Sequence, residues 1–143
     1  MKLPNAVIVH GLEQARTALA VGVPVTLLSA PGAAVYAGAA WWHALVAAAA
    51  AGRDMPPDIL DCGAAPGRAL QALRCGQRRL ILRARPDVFA DLADRAESLG
   101  AVLLGEPPQA LDLAAHGAAR RLEEWLRTQD PADGAEPKGG CRK

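Results

Sequence analysis

A chain of 143 residues with a formal net charge of +1 has room for one domain with a buried core. Its charge excludes the bulk phosphate neutralisation on which non-specific nucleic-acid binding rests. Hydrophobic residues make up 51% of the chain but aromatic ones only 3%, so the core is expected to be alanine and small aliphatics, with thin helices lying close to a sheet. Cys62, Cys75 and Cys141 are an odd set without CxxC spacing. No basic segment followed by a long apolar run opens the sequence, and the alanine-rich run ending at Ala51 is too short for a bilayer. These features point to a reducing cytoplasm, with neither membrane nor nucleic acid as partner.

Ala6 to Val9 (AVIV), bounded by Asn5 and Gly11, predicts a first strand reaching His10. Leu12 to Val21 predicts a helix stopped by Gly22. Residues 24–29 predict a strand buried on both faces, with Pro24 tolerable only at its start. After the Ser29-Ala30-Pro31-Gly32 break, a helical region interrupted near Gly38 runs to Ala51. Residues 58–62 predict the third strand, and Ala65 to Cys75 its helix, with Pro66 in the first turn. Residues 79–83 predict the fourth strand, Pro86 to Leu99 a helix, and residues 101–105 the fifth strand. Leu111 to Leu126 predicts the last helix, with Leu111, Ala115, Leu122, Trp125 and Leu126 on its inner stripe. Residues 129–143 turn polar and rich in Gly and Pro and are expected to form a disordered tail, leaving 1–128 as a single α/β domain.

One stretch of this grammar is written twice. At a spacing of 54 positions Ala15 matches Ala69, Ala18 matches Ala72, Leu19 matches Leu73 and Gly22 matches Gly76, and in the same register Leu28 and Ala30 match Leu82 and Ala84. Five strands alternating with helices predict a three-layer open parallel sheet, flavodoxin-like or Rossmann-like, in the order 2-1-3-4-5. The duplication makes a βα half-barrel the alternative.

In such a sheet, ligands bind outside the carboxyl ends of the strands. Those ends supply His10, Ser29, Gly32, Asp61, Gly63 and Arg83 as candidate ligand-binding residues, and the order 2-1-3-4-5 would make His10 and Asp61 neighbours. Arg83 suits a phosphate or carboxylate, assisted by the amides that open the following helices. The expectation is a binding module for a small anionic metabolite or nucleotide. Ser29, His10 and Asp61 can be drawn as a triad, although Ser29 lies outside a GxSxG elbow. Cys62 precedes a helix start, where a thiolate is favoured. Asp112 and His116 share a helix face in the expected last helix but lack a third metal ligand.

The segment Ile59 to Gly67, ILDCGAAPG, resembles the first motif of Rossmann-type S-adenosylmethionine-dependent methyltransferases. The resemblance implies Asp61, Gly63 and Gly67 as cofactor-binding positions, and an enzyme of that kind as the alternative function. The next strand of that family ends in an acidic residue that binds ribose hydroxyls; here Arg83 stands at that strand end.

Tyr36, Trp41, Trp42 and His43 crowd one segment. Successive helix positions point about 100° apart, so one tryptophan is expected in the core and the other at the rim of the site or at a contact between copies. A homo-oligomer formed through Tyr36, Trp41 and Trp42 is the corresponding expectation.

Overall fold

The computed structural model of the protein describes residues 2–128, and the expected tail lies outside them. The apolar runs become strands β1 (Ala6–Val9), β2 (Thr26–Ser29), β3 (Asp58–Asp61), β4 (Arg79–Ile81) and β5 (Val102–Leu104), joined by a sixth, β6 (Ala110–Asp112). Between them lie α1 (Leu12–Ala20), α2 (Ala33–Tyr36), α3 (Ala39–Ala50), α4 (Pro66–Arg74) and α5 (Pro86–Ser98), and α6 (Ala118–Arg127) follows β6. Every neighbouring pair is parallel, so the protein is α/β, with one all-parallel sheet flanked by helices, as expected. β2 begins at Thr26 rather than Pro24 because proline has no N–H to give a ladder. The Thr26 amide donates to the Asn5 carbonyl at 3.0 Å, and its hydroxyl donates to the Pro4 carbonyl at 2.8 Å.

Two expectations need correcting. The sheet has six strands in the order β5-β4-β3-β2-β1-β6, not five in the order 2-1-3-4-5. The extra strand comes from residues expected to open the last helix. Ala110, Leu111 and Asp112 pair with Ala6, Val7 and Ile8, which satisfies the outer edge of β1, and α6 starts only after Gly117. Pairing with a free edge outweighs a three-residue share in a helical stripe, because unpaired buried backbone groups are costly.

Connection lengths then shape the sheet. From Leu104 to Ala110 is six Cα steps, a reach of about 20 Å, whereas five strand spacings across a flat sheet would part β5 from β6 by about 24 Å. The sheet must therefore curl until its edges approach. Burial agrees: Leu104 and Ala110, from opposite edges, pack on one small cluster with Ala6, Ile8, Leu28, Ile59 and Ile81. No helical residue belongs to that cluster, whereas the buried residues of Val7, Val9, Leu27, Leu60, Leu80 and Leu103 share the main core with all six helices. Stepping one strand at a time in one direction puts right-handed crossovers on one face, the face that carries the main core. The strands step in one direction from β1 to β5 within an open, all-parallel sheet.

The duplication is visible in three dimensions. α1 and α4 occupy equivalent spans, Ala15, Ala18, Ala69 and Ala72 are all fully buried, and Gly22 and Gly76 stop them at φ +86° and +93°. The strands that follow are shifted by one residue from the sequence match. Leu28 lies in the helix-free cluster and Leu82 in the main core, so the partner of Leu28 is Ile81, and that of Ala30 is Arg83. A one-residue slip exchanges the faces of a strand, which residue identity alone does not reveal.

Trp42 is fully buried and its indole N–H donates to Asp58 Oδ2 at 2.6 Å. Gln77 Nε2 donates to the same oxygen at 2.9 Å and to the Arg79 carbonyl at 3.0 Å, and Gln77 Oε1 bonds His43 Nε2 at 2.7 Å. This buried network ties α3 to β3 and β4. It withdraws Trp42 from any contact surface and leaves Trp41, with Tyr36, on the outside.

Candidate functional site

Five of the six strands, all but β5, deliver one polar side chain to the carboxyl end of the sheet, in the spatial order Asp112, His10, Ser29, Asp61, Arg83. Cross-strand register places Val9 beside Ser29 and Asp61 beside Ile81. By the alternation of a strand, Asp61 shares the helix-free side with Ile59.

His10 and Asp61 are not neighbours, because β2 lies between their strands. His10 Nε2 instead meets Asp112 Oδ1 at 2.8 Å, with both side chains partly exposed. The other commitments of the pair are local. Asp112 Oδ1 also accepts the Ala114 amide at 2.9 Å, and the His10 amide donates to Gln14 Oε1 at 2.8 Å. Asp112 therefore pairs across the sheet with His10, and not with His116, which is exposed. The pair could not be read from the sequence, since it joins residues 102 positions apart through a strand that reads as helix. An Asp bounding a short apolar run before a glycine was the available signal.

Ser29, Gly32, Asp61, Gly63 and Arg83 do come together. Ser29 is buried; its hydroxyl donates to the Ala30 carbonyl at 3.1 Å and accepts the Asp61 amide at 2.9 Å. It is a positioning group, and no Ser29–His10–Asp61 triad is assembled. Asp61 is 2% exposed, and its Oδ1 accepts the Gly63 amide at 2.8 Å, closing a tight turn that Gly63 enters at φ +59°. The same oxygen stands 3.6 Å from Arg83 Nη1, whose side chain is 49% exposed. At that distance the charges attract without a hydrogen bond, and among the described residues no hydrogen bond engages the guanidinium. The Arg83 amide donates to the Gly63 carbonyl at 2.8 Å, locking the two strand ends together.

Backbone completes the site. A Cβ on Gly63 would stand 3.5 Å from Gly32 Cα and 3.7 Å from Val35 Cγ2, so the loops after β2 and β3 pack on each other. Among the described residues the amides of Gly32 and Ala64 donate to no carbonyl or side chain, and α4 has no side-chain cap. Amides of this kind, at the same sheet end as Arg83, are suited to an anion.

Cys62, between Asp61 and Gly63, is fully buried. Burial, and secondarily the Asp61 carboxylate, push its thiol up to about 12, so it is a packing thiol and not a nucleophile at neutral pH. Among the described residues no group of three or more His, Cys, Asp or Glu side chains could hold a metal, and no helix is long and apolar enough to cross a membrane. A depression of about 490 Å³ lined by Leu19, Ala50, Arg53 and Asp54 lies where α1 and α3 end, away from the carboxyl ends of the strands. It is open to solvent, and Arg53 Nε is already directed at the Ala50 carbonyl at 3.4 Å; the chemistry is concentrated at the other end. No protein-family model and no curated protein matches the chain.

Proposed function

We propose that the protein is a small cytoplasmic binding module that holds a small anionic metabolite or nucleotide at the carboxyl ends of β2, β3 and β4. One observation carries this reading: a buried carboxylate, Asp61, holds the half-exposed guanidinium of Arg83 at 3.6 Å without consuming its donors. A guanidinium fixed in this way can present a planar fork to phosphate or carboxylate with little further loss of side-chain freedom. The Gly32 and Ala64 amides, unpaired among the described residues, would add neutral donors at the same end of the sheet. His10 and Asp112 stand two and three strands from Asp61 and are not required for holding the anion.

The test is thermal unfolding of the full chain with inorganic phosphate and ribose 5-phosphate, since a ligand that binds only the native state raises Tm by mass action. A saturable rise that disappears in Arg83→Gln is expected. No rise, or an equal rise in Arg83→Gln, rejects the reading.

The alternative, a methyltransferase-like enzyme, draws on the left-handed Gly63 turn between β3 and α4, which stands where the resemblance puts its cofactor loop. Against it, the Asp61 carboxylate is committed to the Gly63 amide and to Arg83. A Tm rise with S-adenosylmethionine that Asp61→Ala abolishes would make it the better reading.

A further inference from the structure

An apolar rim lies at the same end of the sheet as the proposed anion site and has no role in holding the charge. Val35, Tyr36 and Trp41 are 44%, 68% and 38% exposed, and they follow Gly32 on α2 and at the start of α3. That puts them at the same end of the sheet as Arg83. Val35 Cγ2 is the side-chain atom nearest the Gly63 position, and Gly63 is the residue whose carbonyl accepts the Arg83 amide. α2 packs against both β3 and α4, so the rim is anchored to the elements that carry Asp61 and the glycine turn. Its second ring is held from behind: Trp41 and Trp42 have centroids 6.2 Å apart with their planes tilted by 43°, and Trp42 is fixed by Asp58.

We propose that the ligand is of the nucleotide class, with its phosphate on Arg83 and the Gly32 and Ala64 amides and its planar base on the rim of Tyr36 and Trp41. This rests on the anion reading of the mouth and adds the identity of the group attached to the charge. Two exposed aromatic side chains at the same sheet end as a guanidinium match a ligand that is charged at one end and flat at the other. A second copy of the chain is the competing occupant. With aromatic side chains covering about 150–250 Å² each, the exposed fractions of Tyr36 and Trp41 amount to about 200 Å². A standard protein interface needs about 800 Å² per partner, so the rim is too small to hold a stable dimer and large enough for one base.

The experiment is calorimetric titration of the full chain with inorganic phosphate, ribose 5-phosphate, adenosine monophosphate and adenosine, repeated on Tyr36→Ala, Trp41→Ala and Arg83→Gln. Circular dichroism checks the folding of each variant, and sedimentation velocity the association state. Base stacking on an aromatic ring is worth about tenfold in affinity, so adenosine monophosphate should bind about tenfold tighter than ribose 5-phosphate. Tyr36→Ala or Trp41→Ala should erase that advantage and leave ribose 5-phosphate unchanged, and Arg83→Gln should weaken every phosphate ligand. If ribose 5-phosphate and adenosine monophosphate bind equally, with Arg83 dependence intact, the base contact is wrong and the anion site stands. If no phosphate ligand binds, both readings fail. A wild-type dimer that Tyr36→Ala or Trp41→Ala dissociates, with nucleotide affinity unaltered, assigns the rim to self-association and overturns the proposal.

Discussion

Asp61→Asn keeps an oxygen for the Gly63 amide and deletes the charge that faces Arg83, so it isolates the electrostatic half of the contact. A unit pair 3.6 Å apart is worth about 4–5 kcal/mol at an effective dielectric of 20, whereas exposed pairs measure about 0.2–1 kcal/mol. With the carboxylate buried and the guanidinium half in water, the coupling should fall between these limits, at about 1–2 kcal/mol. The assay is urea unfolding followed by tryptophan fluorescence for wild type, Asp61→Asn, Arg83→Gln and the double variant, closed as a cycle. Asp61→Ala, which also leaves the Gly63 amide without its acceptor, should cost about 1–3 kcal/mol more than Asp61→Asn. A coupling below about 0.3 kcal/mol, within the additivity error of distant sites, would mean that Asp61 does not hold Arg83. The anion site would then lose its preorganised donor.

Trp42→Phe removes one donor from Asp58 and should destabilise the fold by about 1.5–3 kcal/mol, while Trp41→Phe, half exposed, should lie within about 0.5 kcal/mol of wild type in the same urea series. The raised Cys62 thiol keeps its proton in the folded state beyond the ordinary value of 9.0. Its contribution is therefore complete below that value and lost as the pH rises through about 12. Urea midpoints measured from pH 8 to 10.5 should fall more steeply for wild type than for Cys62→Ala, with the slopes differing by up to about 1.4 kcal/mol per pH unit; parallel slopes would contradict the burial of the thiol. Gly63→Ala meets only ordinary contacts at 3.5 and 3.7 Å, so its cost should be the left-handed backbone penalty alone, about 1–2 kcal/mol by thermal unfolding.

Much of this architecture is legible along the chain because its signals are local. Gly22 and Gly76 end α1 and α4, Pro66 opens α4, and the runs AVIV and ILD need no distant partner to read as buried strands. The group Ser29, Asp61, Gly63 and Arg83 follows from one rule, that strand ends in a parallel sheet converge. What failed depends on pairing between distant segments. ALD at 110–112 reads as the start of a helical stripe until the free edge of β1 claims it, and only then does Asp112 reach His10. Strand order is equally non-local. The five residues between β5 and β6 exclude a flat sheet, a constraint that appears only once both strands are known. The half-buried Asp58–Gln77 pair has no sequence signature, because each residue, taken singly, looks like an ordinary polar residue at a strand boundary.

The most direct measurement of the central claim is a phosphate titration followed by amide chemical shifts on the isotopically labelled full chain. Phosphate should produce saturable shifts confined to Gly32, residues 63–67 and Arg83, all lost in Arg83→Gln while the fold is retained. Shifts that persist in Arg83→Gln, that gather instead around Arg53 and Asp54, or that fail to saturate would contradict an anion site at the carboxyl ends of these strands.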